Sequence, residues 1–170
     1  MKAVFFNQHG GLEVLKYAET PTPKIDETQA LIEVEACGLN HLDIWIRQGL
    51  PGIPIPLPHV VGSEIVGKVS KVGSKVTHVK PGDRVLVAPG IHCGSCPACV
   101  NGRESLCREF KIMGLQMNGG YAEHVAAPGK NLIPISSKLK PEEWAAVPLV
   151  FLTAWHMLVT RGGLKAGESV

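Results

Sequence analysis

Four cysteines, Cys93, Cys96, Cys99 and Cys107, form a C-x2-C-x2-C-x7-C run within 15 residues, and no other pattern constrains this chain so tightly. Thiolates three positions apart along a turn converge on one ion, and the longer last gap brings round a fourth. Zn²⁺ takes four such sulfurs tetrahedrally at about 2.3 Å, and a closed all-thiolate shell leaves no position for a substrate. The spacing therefore predicts one structural zinc per chain, pinning a surface lobe at residues 90–110. Gly94 and Pro97 lie between the ligands and suit tight turns, while Asn101, Gly102, Arg103 and Glu104 read as a solvent-facing loop. Two disulfides are a weaker reading, because the opening residues do not read as a secretory signal and a chain this long needs no disulfide framework. An iron–sulfur cluster also begins C-x2-C-x2-C, but such runs close after three residues and continue with proline. Here the gap is seven and Arg108 follows.

The 170 residues suit one domain with, at most, an appended piece. Hydrophobic residues at 45% supply a sizeable core, and 19% charged residues do not describe a disordered chain. Lysine and arginine outnumber acids by only 17 to 15. Four zinc-bound thiolates bring that balance to about zero, so neither nucleic acid nor an anionic membrane is an expected partner. The longest apolar run, Val147 to Val159, is too short to span a bilayer and reads as a buried helix. With no targeting segment legible, a cytoplasmic location is the default.

Strands come first along the chain and helices late. Lys2 to Phe6 is β-prone, and Asn7 to Gly11 makes the turn after it. Leu12 to Glu19 is a second strand candidate. Ala30 to Ala36 alternates, with Leu31, Glu33 and Glu35 on one parity and Ile32 and Val34 on the other. Asn40 is placed to cap a short helix through Ile46. Glu64 to Val72, Asp83 to Ala88 and Tyr121 to Ala127 are further strands, and Glu142 to Leu158 is helical apart from Pro148. Many short strands between turn signals predict a mainly β fold with some α, a small and partly open barrel.

The order of the pieces carries a resemblance. Ala36-Cys37-Gly38-Leu39-Asn40-His41-Leu42-Asp43 is followed by Pro58-His59-Val60-Val61-Gly62-Ser63-Glu64-Ile65-Val66-Gly67 and by Lys80-Pro81-Gly82-Asp83-Arg84-Val85. After the cysteine lobe come Gly119-Gly120-Tyr121-Ala122-Glu123, then Ala145 to Leu149 and Thr153-Ala154. Nearly the whole chain thus resembles the N-terminal, catalytic half of the zinc-type medium-chain dehydrogenase/reductase superfamily. The resemblance implies a GroES-like, partly open β-barrel over residues 1–155, with a connecting helix at 156–170. It implies NAD(P)-dependent oxidoreduction of a small carbonyl, alcohol or quinone-like substrate, in a homo-oligomer when full length.

The departures are informative too. Zinc alcohol dehydrogenases of that superfamily hold a second, catalytic zinc through a cysteine, a histidine and a further cysteine. The matching positions here are Asn40, Ser63 and a position close to Leu149. Asparagine and serine are poor Zn²⁺ ligands and leucine is none, so no catalytic zinc is expected. In this the chain is similar to the quinone (zeta-crystallin-like) oxidoreductase branch. Without a metal, hydrogen-bond donors must stabilise charge on the substrate oxygen. The catalytic candidates are Asn40, donating directly, and Asp43, orienting the site; a surface acid is the plain alternative for Asp43. The resemblance puts His41 near the cofactor phosphates and Thr153 near the nicotinamide. Trp45 walls the substrate pocket or belongs to the core. Cys37 reads as a small core residue, His59 and His124 as structural histidines, and Glu64 as an acid near the reactive centre or a turn anchor.

No G-x-G-x-x-G occurs, and Gly167-Glu168-Ser169-Val170 reads as the start of a dinucleotide-binding strand. The chain is therefore expected to be part of an enzyme about twice as long, inactive alone, with its last helix exposed or covered by a neighbour. Two alternatives stand beside this: a zinc alcohol dehydrogenase with an unusual ligand set, and a non-enzymatic, zinc-stapled binding or oligomerisation module.

Overall fold

The alternating segment at residues 29–38 builds a strand beside the central one of a five-stranded antiparallel sheet. The computed structural model describes residues 1–136 and 138–170. In chain order the strands are β1 (Lys2–Phe5), β2 (Lys16–Glu19), β3 (Gln29–Gly38), β4 (Glu64–Val72), β5 (Arg84–Val87), β6 (Gly90–Ile91), β7 (Lys111–Ile112), β8 (His124–Pro128) and β9 (Leu132–Pro134). The helices are α1 (His41–Gln48), α2 (Pro97–Val100), α3 (Pro141–Trp144) and α4 (Val150–Trp155), the last running on as a wider π-type turn over His156–Arg161. The order in the main sheet is β8-β3-β4-β5-β9, while β1–β2 and β6–β7 form separate ribbons. Register shifts at Leu31/Ile32 and Val34/Ala36 mark irregularities in the β3–β4 ladder, of the kind that bend and twist a sheet.

The expected parity holds. Ile32 is fully buried while Glu33 faces solvent, and Ile32 packs with Ile65, Val69, Val85, Val87 and Val125 in the main core. Each such side chain, fully buried, contributes about 1.5–3 kcal/mol. A second cluster of Phe6, Val14, Ile46, Val61 and Leu115 sits under α1. That helix is fixed at its far end by Arg47, whose guanidinium donates to the Gly10 carbonyl at 2.6 Å. β1 stitches two distant segments together: Phe6 and His59 exchange backbone bonds, and the Val4 N–H reaches the Tyr121 carbonyl at 2.7 Å.

Several sequence expectations need correction. Leu12–Val14 is a single 3₁₀ turn, so the strand expected from Leu12 begins at Lys16. β8 starts at His124, because Tyr121 and Ala122 lie in the crossing made with β1. The helix expected over Glu142–Leu158 is divided into α3, a turn around Pro148, and α4 with its π-type extension. Proline lacks the N–H that would continue the ladder. That last segment is also not buried. Phe151 is 64% and Trp155 65% exposed, with Leu152 and Met157 similarly open, because among the described residues no layer packs over them. Among the described residues, no helix is long and apolar enough to cross a membrane.

Candidate active site and metal centre

Two acids organise the region where β3, α1 and β4 meet. Asn40 holds the N-cap position of α1 in extended conformation, and Asp43, three residues on, accepts its backbone N–H at 2.8 Å. This is the acid's half of a capping box. Asp43 is no surface residue: it is 6% exposed, and it also accepts the Gly62 N–H at 3.0 Å and the Tyr121 hydroxyl at 2.8 Å. Gly62 is required in this geometry. Its φ is +105°, and a Cβ there would lie 2.6 Å from the Tyr121 ring and 2.8 Å from the Cys37 sulfur. Cys37, next to last in β3, packs partly buried against the core as a small residue. Burial, and then the charge of Asp43, pushes its thiol up to about 12.

Glu64, the first residue of β4, is 2% exposed. One oxygen accepts the Asn40 side-chain amide at 2.9 Å; the other accepts the N–H groups of Leu149 and Val150 at 3.0 and 3.1 Å. A carboxylate on the unpaired N–H groups at a helix start is favourable on both hydrogen-bond and dipole grounds. Two of the three positions aligned with catalytic metal ligands, Asn40 and Leu149, are thus joined through Glu64. Ser63, fully buried, turns its hydroxyl to the Met113 carbonyl at 2.7 Å. His59 is the structural histidine expected, fully buried with Nε2 donating to the Gly114 carbonyl at 2.9 Å, and burial holds its pKa below the usual imidazole range. Glu64, legible as an acid near the reactive centre or as a turn anchor, holds the start of a helix 85 residues away. The Tyr121 hydroxyl was not legible as part of the site at all.

The other candidates spread outward. His41 and Trp45 lie one turn apart on the open side of α1, their rings meeting edge-on at 4.9 Å. Trp45 is half exposed, which removes it from the core. Thr153 donates its hydroxyl to the Leu149 carbonyl, one turn back in α4. It lines a cleft of about 660 Å³ between α4 and the cysteine lobe, with Pro89, His92, Phe110, Ile112 and Leu149 among the other walls. Asn40 and Asp43 are brought together, Thr153 is tied to them through Leu149 and Glu64, and His41 lies exposed beside Trp45.

In the lobe the four cysteine sulfurs all lie within 4.8 Å of one another. The closest pairs are Cys96–Cys99 at 3.5 Å, Cys93–Cys107 at 3.6 Å and Cys93–Cys99 at 3.8 Å. A disulfide needs about 2.05 Å, so these are free thiols. A tetrahedron of 2.3 Å Zn–S bonds has edges of about 3.8 Å, which the sulfurs match. The backbone N–H groups of Ser95 and Cys96 pull the Cys93 thiol down to about 6, in the direction of the thiolate that a metal ligand requires. The base of the lobe is fastened separately. Buried Asn131 donates to the Ala88 and Gly90 carbonyls at 2.8 and 2.7 Å, and the Lys130 ammonium donates to the His92 carbonyl.

Comparison with known proteins agrees with this arrangement. The profile of the alcohol dehydrogenase GroES-like domain matches residues 26–137. The chain is 35% identical to an alcohol dehydrogenase of Geobacillus stearothermophilus over 158 residues, 92% of this chain and 46% of that one. It is 32% identical to the quinone oxidoreductase of Pongo abelii, over 100% of this chain and 44% of that one. A solved NAD-dependent alcohol dehydrogenase superposes with a TM-score of 0.94 at 42% identity, covering 99% of this chain and 49% of that chain. The cobalt- and zinc-bound thermostable alcohol dehydrogenase of Pyrobaculum aerophilum gives 0.89 at 36%, covering 99% and 50%. The chain spans about half the length of the curated relatives it matches. By its fold, its segment order and these matches, the chain belongs to the alcohol dehydrogenase GroES-like domain family.

Proposed function

We propose that this chain is the catalytic domain of an NAD(P)-dependent oxidoreductase that carries a structural zinc in its cysteine lobe and uses no catalytic zinc. Residues 1–155 form the catalytic domain, and 156–170 lead toward a dinucleotide-binding domain. The substrate is a small carbonyl, alcohol or quinone-like molecule entering beside α4, with Thr153 facing the nicotinamide and His41 the cofactor phosphates. The observation that carries the reading is Glu64. Its carboxylate bonds Asn40, Leu149 and Val150 where ligands would otherwise converge, and none of Asn40, Ser63 or Leu149 offers a good zinc donor.

A bound nicotinamide supplies or accepts the hydride. The chain's own residues deal with charge on the substrate oxygen. The Asn40 amide has two N–H donors, and Glu64 takes one. The second is free to meet the oxygen, on an amide whose plane Glu64 holds and whose backbone Asp43 holds. Such a fixed donor costs no reorganisation when charge develops. Cys93, Cys96, Cys99 and Cys107 would hold zinc as a staple, with no part in that step.

The full-length protein tests this. One zinc per chain, together with nicotinamide-dependent turnover of an enone, quinone or aldehyde, is the expected outcome. Two zincs per chain, with activity lost on removal of the looser one, would return the chain to the metal-dependent alcohol dehydrogenases.

A further inference from the structure

The aromatic ring packed against Gly62 carries the only side-chain hydroxyl on Asp43 among the bonds the described residues make to it. We propose that Tyr121 is a positioning residue of the active site, acting through Asp43 on Asn40 and on the Gly62–Glu64 segment. This deepens the function proposed above and rests on that reading.

Asp43 joins two pieces of chain that must keep register with each other. Its Oδ1 takes the Gly62 N–H, which sets the segment delivering Glu64, and its Oδ2 takes the Asn40 N–H, which sets the candidate donor. The Tyr121 hydroxyl is the third donor, on the same Oδ2 as Asn40. With it, the carboxylate has a fixed rotation, because donors approach both oxygens from three separate segments. Without it, Oδ2 retains only the neighbouring Asn40 N–H, and the Gly62 N–H on Oδ1 is the one remaining tie in this set between the carboxylate and a segment beyond the start of α1.

Tyr121 is well placed to impose that rotation. Its N–H is held by the Val61 carbonyl at 3.0 Å and its carbonyl by the Val4 N–H at 2.7 Å. The ring fits against Gly62 only because that residue has no Cβ. Burial, and then the charge of Asp43, raises the phenol well above its usual range, so the hydroxyl stays a donor throughout the working pH range. Small displacements of a substrate-facing donor cost rate steeply, up to about a hundredfold for 1 Å.

The test is Tyr121→Phe in the full-length enzyme, which keeps the ring and removes one oxygen. We expect kcat to fall roughly ten- to a hundredfold, with the KM for the nicotinamide within about twofold of wild type. In an Asp43→Asn background the same change should add nothing, since Tyr121 acts through that carboxylate. Placing 4-aminophenylalanine at position 121, which restores a donor, should return most of the lost rate. A Tyr121→Phe kcat near wild type overturns the inference, and so does a loss that multiplies with Asp43→Asn. If Tyr121→Phe does not fold, the 4-aminophenylalanine protein decides alone: near-wild-type kcat supports the proposal and a loss beyond tenfold overturns it. Should wild type show no nicotinamide-dependent turnover, the proposed function fails and hydrogen exchange decides this point. Faster exchange at the Asn40 and Gly62 amides in Tyr121→Phe than in wild type supports positioning, and unchanged exchange overturns it.

Discussion

The cysteine lobe and the Glu64 network do the same mechanical job by different chemistry. In the lobe, four sulfurs from one 15-residue stretch face a common centre, and neighbouring backbone N–H groups already favour a thiolate there. In the network, an acid from β4 gathers an amide from the start of α1 and two N–H groups from the start of α4. The first arrangement is a set of ligands for an ion; the second is a set of hydrogen bonds. A metal staple can close a loop that has almost no core of its own, whereas a hydrogen-bonded hub needs the surrounding core to hold its partners in place. The lobe contributes two buried and two partly exposed cysteines and few apolar side chains, while Glu64 sits at the head of a strand whose next three residues are buried.

The largest effect that separates the two should come from the lobe. Binding of a structural zinc is worth on the order of 10 kcal/mol, and that free energy is folding free energy of the loop it closes. Cys107→Ser should therefore release the metal and leave residues 93–107 unprotected in hydrogen exchange, while the core amides of β3 and β4 stay protected. Retained zinc with a protected lobe would show that the base contacts, not the thiolates, hold it.

Next comes the network. Asn40→Ala should lower kcat of the full-length enzyme roughly a hundred- to a thousandfold, the range for loss of one oxyanion donor. Asn40→Asp places a second carboxylate where the amide now meets Glu64 at 2.9 Å. Two carboxylates that close cannot both ionise, so one pKa rises. Turnover of Asn40→Asp should be at least as poor as that of Asn40→Ala at pH 8, and should improve as the pH falls and the shared proton returns. Near-wild-type turnover at pH 8 would reduce Asn40 to a helix cap.

The smallest effect sharpens the contrast. Asn131→Ala leaves the Ala88 and Gly90 carbonyls without that side-chain amide, at a cost of about 1–3 kcal/mol in thermal or denaturant unfolding. Metal content and kcat should not change. Zinc loss in this variant would mean that the lobe depends on hydrogen bonds at its base, as the network does throughout.

These two regions also differ in how far the sequence discloses them. The cysteine site is local, so spacing announces its ligands, and their chemistry announces the class of ion. The strands β3 and β4 are legible because alternation of buried and exposed residues is a property of neighbours. The network is not local. Asn40 and Glu64 are 24 residues apart, Asp43 and Tyr121 78, Glu64 and Leu149 85. Nothing in composition or periodicity says which buried acid meets which amide, and Asp43 was as easily a surface acid as an inner one. The apolar run after Pro148 failed for a related reason. Periodicity reveals that a face wants cover, but not whether the covering atoms belong to the same chain.

The contact between Gly62 and Tyr121 bears on how this sequence can vary. A side chain at position 62 is strained at a φ of +105° and would run into the ring at position 121. Relief by shrinking residue 121 would strip Asp43 of its hydroxyl donor. Positions 43, 62 and 121 therefore accept change as a set or hardly at all. A mutational scan that alters one residue at a time would score each as intolerant and assign three separate causes. A combinatorial library over the three would find one cause, and any rescued combination should supply a new donor to position 43 by another route.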